Sequence, residues 1–177
     1  MPLKMPRLRH FLFFVLSAGI SLPGQPVTPE DFLERAREHF ERRRFLNTLD
    51  SLRVVLQMTA AEDATKNRTK LEAEILSAQS LAALGRRDES ANMYERAISH
   101  GYADKSALAY LGNYFEARGQ WPKAREYLSA YFAADKGDAQ THIRYAVVLA
   151  RLKERTQARE LLAAIEPAAG GKKAEEC

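Results

Sequence analysis

The stretch LGNYFEARGQWPKAREYL, residues 111–128, contains a helical pattern that stops at Gly119 and starts again two residues later. On each side of the glycine, apolar residues recur at spacings of three and four, which places them on one face of a helix. Gly119 can adopt the left-handed conformation that ends a helix. Pro122 suits a first helical turn, because its missing N–H has no partner there. The stretch predicts two amphipathic helices, over residues 105–118 and 121–134, joined by a tight turn.

Residues of the same type recur along the chain with a period of 34. Such a period is the signature of helix pairs stacked in an array. We expect the small residue at Gly112 to be a packing requirement, because a bulky side chain there would hold the two helices of a pair apart. The positions related by this step are Gly85 and Gly119; Ala124 and Ala158; Tyr94, Leu128 and Leu162; Ala97, Tyr131 and Ile165; and Ala78, Gly112 and Ala146.

With this period, LGNYFEARGQWPKA at 111–124 and LGRRDESANMYERAI at 84–98 resemble tetratricopeptide repeats (TPR). The resemblance implies an all-α fold in which antiparallel helix pairs stack into a right-handed superhelix of about four repeats. Three residues depart from the family pattern: Ser77 and Ser90 replace leucine and alanine, and Lys153 replaces the turn glycine. The predicted repeat domain covers residues 25–169, with units at 29–62, 71–104, 105–138 and 139–169, followed by a flexible tail at 170–177.

The N-terminus is organised differently from the rest of the chain. Lys4, Arg7 and Arg9 precede an apolar run at residues 11–22, an arrangement that resembles a secretory signal peptide. The run is shorter than the ~20 residues of a stable membrane-spanning helix. We expect residues 1–24 to be a cleaved leader and the protein to be exported, to a periplasm or cell envelope. Retention as a membrane anchor and a mitochondrial-type presequence are the alternatives.

Charge and cysteine content exclude some functions. Of the 27 cations, three lie in the leader, so 24 cations face 23 anions in the remainder. This balance lacks the basic excess that nucleic-acid binding requires. Cys177 is the single cysteine, which rules out an intramolecular disulfide framework and a thiolate metal cluster built by this chain alone.

The chain shows no catalytic or cofactor-binding pattern. Three of its four histidines, His39, His100 and His142, fall in different repeat units, and His10 lies in the leader. None has a second ligand at metal-binding spacing, so no metal and no cofactor are expected. No nucleophile is paired with a base, so we do not expect an enzyme.

The resemblance also implies a binding surface. The first helix of each pair in such arrays lines a concave groove that holds peptides or partner helices. Asn113 and Arg144 fall on carboxylate-clamp positions of the family, but Ala109 and Gln140 replace the clamp lysines, so a mixed polar and aromatic groove is expected instead. The residues predicted to line it are Arg37, Gln79, Tyr110, Asn113, Glu116, Arg144, Val147 and Arg151.

These features predict a non-catalytic adaptor or scaffold that binds a peptide or protein segment in its groove and helps to assemble an envelope complex. The alternative is a structural subunit that forms homo-oligomers, or docks to a larger assembly, through an uncapped last helix pair. Leu161, Leu162 and Ile165 lie in that pair, and a terminal repeat normally needs a polar capping helix. The sequence leaves open whether a partner caps this pair or the chain was once longer.

Overall fold

The computed structural model describes residues 26–64, 67–102, 104–134 and 139–163, and these residues form helices and turns without any strand. The predicted leader at residues 1–24, Ile165 and the predicted tail at residues 170–177 lie outside the described residues. The helices are α1 (Pro29–Glu41), α2 (Phe45–Met58), α3 (Arg68–Ala83), α4 (Arg87–Ser99), α5 (Lys105–Ala117), α6 (Trp121–Ala134), α7 (Ala139–Arg151) and α8 (Arg155–Ala163). The all-helical fold predicted from the period is confirmed.

A three-residue turn joins the two helices of each pair, and all four turns have the same geometry. The middle residue is left-handed in each turn, with φ of 56° at Arg43, 74° at Gly85, 68° at Gly119 and 66° at Lys153. In the third pair, the N–H of Gln120 donates to the carbonyl of Phe115 at 2.9 Å, which satisfies a carbonyl at the helix end. Equivalent bonds close the other three turns. The first pair is therefore built like the others, although its sequence is the most divergent.

First helices lie together on one side where the first two pairs meet and where the last two pairs meet, whereas the third pair meets the second through α4 and α5. Helix α1 contacts α3, and α5 contacts α7, whereas the second helices α2, α4, α6 and α8 make no comparable contacts with one another in the described part of the chain. At these two steps the array curves towards its first helices. These helices line the inner, concave side, and the second helices form the outer side.

Side-chain packing explains the small and polar residues within the helices. A Cβ atom at Gly112 would lie 2.6 Å from Cδ2 of Leu128, closer than side chains approach. Ser77 and Ser90 are buried, and their hydroxyls donate to the carbonyls of Ala73 at 2.7 Å and Ala78 at 2.8 Å. The two serines that depart from the family pattern thus fit the core because their hydrogen bonds are satisfied.

The second unit starts earlier than predicted. Helix α3 begins at Arg68, three residues before the expected start at residue 71, because the Asn67 side chain accepts a hydrogen bond from the backbone N–H of Lys70 at 2.8 Å. The Lys70 ammonium group donates to the carbonyls of Ala60 at 3.2 Å and Glu62 at 2.5 Å. These bonds hold the longer connection between the first two pairs against α3.

Two kinds of site are absent from the residues that the structure describes. No helix there is both long enough and apolar enough to cross a membrane. No group of histidine, cysteine and acidic residues in the same ranges is arranged to hold a metal ion.

Candidate binding groove

A cleft of about 560 Å³ lies on the inner side of the array, over the third pair. It is formed mainly by α5, with contributions from the start of α4 and from α7. Its position follows from the curvature, since first helices of neighbouring pairs meet here. The lining residues are Arg87, Tyr110, Asn113, Tyr114, Ala117, Arg118 and Arg144.

Asn113 contributes an unsatisfied polar atom to this cleft. Its side-chain oxygen is shielded from solvent and has no hydrogen-bond partner among the described residues. A buried polar atom without a partner costs about 1–3 kcal/mol, so native proteins rarely retain one. The carboxamide of Asn113 can accept one N–H and donate to a carbonyl, which is the pattern of a peptide group.

Three arginines give the cleft a positive charge, and two of them are held in place by acidic residues. Nη1 of Arg144 donates to Oε2 of Glu116 at 2.7 Å, which ties α7 to α5. Arg118 forms an ion pair with Asp88, and this contact raises the pKa of Arg118. Arg87 is exposed and forms no ion pair within the described ranges, so its charge is available to an incoming carboxylate.

Two tyrosines form the apolar wall of the cleft. The hydroxyl of Tyr114 donates to Oδ1 of Asp88 at 3.1 Å, and the guanidinium of Arg118 lies 4.7 Å from the centre of the Tyr114 ring. Burial, followed by this hydrogen bond, raises the pKa of Tyr114. The Tyr110 hydroxyl reaches the carbonyl of Arg87 at 3.5 Å. Both rings are therefore oriented by α4, which leaves a fixed surface for a partner to pack on.

The structure brings together part of the predicted groove. Tyr110, Asn113 and Arg144 line the cleft, and Glu116 contributes by fixing Arg144. The remaining four residues lie elsewhere. Arg37 pairs with Glu34 and Glu72, Gln79 is half-buried on α3, Arg151 lies over the Trp121 ring at 5.6 Å, and Val147 lines a separate apolar cleft.

Sequence reasoning missed Arg87, Tyr114 and Arg118. The predicted positions all lie on first helices, whereas Arg87 starts a second helix and Arg118 belongs to a turn. Tyr114 is adjacent to Asn113, and its spacing of three from Leu111 places it with the apolar residues of the predicted helix. A cation at the start of α4 is visible in the sequence, but its approach to α5 depends on how the pairs stack.

A larger cleft of about 620 Å³ lies among α2, α3 and α4, and α2 and α4 belong to the outer side. Its charged residues are already paired with partners of the same chain. Arg86 binds Glu89 at 2.5 Å, and Arg96 binds the buried Glu74 at 2.7 Å. This cleft offers a ligand fewer unpaired groups than the cleft over α5 does, so the inner cleft is the stronger candidate.

This architecture is similar to that of known proteins. The sequence model of the Tetratricopeptide repeat family matches residues 105–148. No curated protein is similar enough in sequence to count as a relative. Among solved structures, YrrB, named as a TPR protein with an unusual peptide-binding site, is 16% identical, with 78% of this chain aligned to 67% of YrrB and a TM-score of 0.64. MamA from Desulfovibrio magneticus is 14% identical, with 83% of this chain aligned to 78% of MamA and a TM-score of 0.59.

Proposed function

We propose that this chain, whose residues 105–148 match the tetratricopeptide repeat family and whose fold is that of tetratricopeptide repeat structures, is an adaptor that holds a segment of a partner protein in the cleft over α5. The segment is extended and carries a carboxylate. Its peptide groups pair with the Asn113 carboxamide, its side chains pack on Tyr110 and Tyr114, and its carboxylate meets Arg87. The observation that carries this proposal is the unsatisfied buried oxygen of Asn113.

The geometry supports binding and not chemistry. The cleft contains arginine, tyrosine and asparagine side chains but no pair of a nucleophile and a base. Arg87, Arg118 and Arg144 together complement an acidic segment, and such complementarity steers association and fixes its register. The proposed role is therefore that of a scaffold for a protein or peptide partner.

We place this adaptor outside the cytoplasm, in the assembly of an envelope complex. The support for this location is the leader at residues 1–24, with its charged start and its short apolar run. The N-terminus of the protein isolated from its native cells can be measured by mass spectrometry. A start after residue 19 would support export, whereas an intact leader with cytoplasmic partners would contradict it.

Site-specific crosslinking tests the groove. A photo-crosslinking amino acid replaces Tyr110 in the cleft or, as a matched control, the exposed Ala130 on the outer helix α6. We expect a defined protein adduct from position 110 and none from position 130. Adducts from position 130 alone would assign binding to the outer side and overturn the proposal.

Charge and amide variants identify the groups that bind. Asn113→Ala combined with Arg144→Ala, and separately Arg87→Glu, should reduce the adduct from position 110 by about tenfold, because each removes a polar contact to the segment. Arg53→Glu makes the same charge change on the exposed surface of α2 and should have no effect. Far-ultraviolet circular dichroism checks that each variant keeps its helicity. Undiminished capture by the helical Asn113→Ala/Arg144→Ala variant would count against this cleft.

A further inference from the structure

The face that α7 and α8 turn away from the rest of the array is apolar and open. It forms a cleft of about 320 Å³. Three large apolar side chains are exposed there: 52% of Ile143, 42% of Val147 and 40% of Leu162. Exposed apolar surface of this kind marks an interaction site. The lining residues are Ile143, Ala146, Val147, Ala150, Arg155, Ala158, Arg159 and Leu162; we call this surface the α7–α8 face.

Equivalent faces of the preceding pairs are covered by the next first helix. Leu162 corresponds to Tyr94 and Leu128, which are 6% and 0% exposed. The Tyr110 ring of α5 lies 5.1 Å from the Tyr94 ring, and α7 contributes Val148 to the core that contains Leu128. In this architecture, an amphipathic helix therefore packs on such a face.

The α7 side of the α7–α8 face is more apolar than the corresponding side of the pair before it, whereas on the α8 side Arg155 replaces Trp121. Ile143, Val147 and Ala150 stand where α5 has Ala109, Asn113 and Glu116. A repeat whose outer face meets solvent should be more polar than an internal one, since internal faces are buried by their neighbours. The composition runs in the opposite direction, which indicates a face that is covered in the working protein.

Charge at the α7–α8 face specifies the helix that fits. Arg155 and Arg159 flank the cleft, and neither forms an ion pair within the described ranges. Arg159 corresponds to Arg125, whose guanidinium lies 3.2 Å from the carboxylate of Glu154, in an ion pair not aligned as a hydrogen bond. Glu154 lies in the turn that follows α7. A helix seated on the α7–α8 face would by the same geometry bring a carboxylate to Arg159.

A second copy of this chain fits the face poorly. Two α7–α8 faces packed against each other would bring Arg155 and Arg159 towards their own equivalents, which are like charges. In head-to-tail packing, α1 of the next copy would pack on the α7–α8 face. Arg44 is the last residue of the turn after α1, the position that Glu154 occupies in the turn after α7. Arg44 would then face Arg159. Neither arrangement supplies a carboxylate at the position that Glu154 holds opposite Arg125.

We infer that the α7–α8 face docks an amphipathic helix of another protein, with apolar residues over Val147 and Leu162 and an acidic residue at Arg159. The docked helix would pack on α7 and α8 in the orientation in which α7 packs on α5 and α6. This surface is separate from the cleft over α5, and the inference does not rest on the proposed groove function. Val147, predicted from sequence as a groove residue, is assigned to this second surface.

A peptide copied from the chain itself serves as the probe. It carries residues 139–155, the segment that seats on the third pair and contains Glu154, with Ile143→Gln and Val147→Gln so that its other face is polar. Fluorescence anisotropy of the labelled peptide measures binding to the full chain. We expect saturable binding that is about tenfold weaker with Val147→Asp or Arg159→Glu in the protein. Arg53→Glu, the same charge change on the exposed surface of α2, should leave the affinity unchanged.

A charge swap tests the ion pair. The peptide with Glu154→Arg should bind the Arg159→Glu protein better than the unmodified peptide does. Absence of saturable binding, or equal binding by Val147→Asp, would overturn the inference.

Two further measurements test whether a second copy of the chain or the chain's own C-terminal residues occupy the α7–α8 face. Light scattering should show a monomer over a wide concentration range, whereas a dimer abolished by Val147→Asp would assign the face to a second copy. Replacing residues 164–177 by a glycine–serine segment should leave peptide affinity unchanged. An increase of about tenfold would mean that the chain's own C-terminal residues occupy the face, which would also overturn the inference.

Discussion

At the scale of single residues, the contact between Gly112 and Leu128 sets the distance between the helices of the third pair. A Cβ at position 112 would lie 2.6 Å from Cδ2 and 2.7 Å from Cγ of Leu128. The equivalent residues Ala78 and Ala146 are also small and buried. Close approach of paired helices thus depends on this position in each of these pairs, and in the third pair even a methyl group requires Leu128 to move.

Replacing Gly112 should destabilise the fold by overpacking. Gly112→Leu is expected to lower the free energy of unfolding by about 1–3 kcal/mol, measured by urea denaturation followed by circular dichroism. Gly112→Ala should cost less. The control is Gly112→Ala in a Leu128→Ala background, where the space is free and the better helix propensity of alanine should make the change neutral or stabilising. An equal cost of Gly112→Ala in both backgrounds would contradict the contact as its cause.

Sequence periodicity predicted that position 112 must be small, but it could not predict the contacts of the buried Glu74. Glu74 is fully buried, with one carboxylate oxygen 2.7 Å from Arg96 and the other 2.8 Å from Nδ1 of His100. These partners lie 22 and 26 residues from Glu74 along the chain. No local spacing connects them, because the contact arises only when α3 and α4 pack. The unsatisfied oxygen of Asn113 could not be predicted from the sequence for the same reason.

At the scale of elements, the four turns show that backbone geometry can be kept while residue type changes. Gly85 and Gly119 allow their turns to be predicted from the sequence. Arg43 and Lys153 do not, yet both adopt positive φ, because the flanking helices must still meet and the same backbone hydrogen bonds close the turn. A left-handed conformation costs a residue with a Cβ roughly 1–2 kcal/mol. The free energy gained from packing in the first and fourth pairs must exceed this cost.

Restoring glycine to the fourth turn should stabilise the protein. Lys153→Gly removes the Cβ strain at φ 66° but makes the unfolded chain more flexible, so the net gain is expected to be about 0.5–1 kcal/mol. Differential scanning calorimetry would detect it as a higher midpoint. Gly119→Lys, the reverse change in the third turn, should lower the midpoint. If Lys153→Gly instead lowered the midpoint, the left-handed conformation at Lys153 would be wrong.

At the scale of the whole molecule, the 34-residue period was sufficient to predict stacked helix pairs, but not to predict which surfaces stay open. The sequence pointed to Leu161, Leu162 and Ile165 as the apolar end. The structure describes an open face that includes Leu162 together with Ile143 and Val147 of α7. Exposure of a given side chain depends on the presence of the next helix in the array, and a periodic pattern assigns the same role to every repeat.

Stacking of the pairs should also make the fold sensitive to high pH. Burial raises the pKa of Tyr94, whose ring packs on Tyr110 of the next pair, to about 12. A raised pKa in the folded state means that stability is complete below the unfolded value near 10 and is lost as pH rises towards 12. The loss attributable to Tyr94 is about 2–3 kcal/mol.

Thermal unfolding of the wild type and of Tyr94→Phe between pH 9 and pH 12 isolates this contribution, because both proteins share every other titrating group. The variant should lose stability less steeply above pH 10. Burial also raises the pKa of Tyr102 and Tyr145, so the variant should still lose part of its stability. Parallel curves for the two proteins would mean that Tyr94 ionises as readily in the folded array as in the unfolded chain. The interface between the second and third pairs would then be open to water, contrary to the packing described.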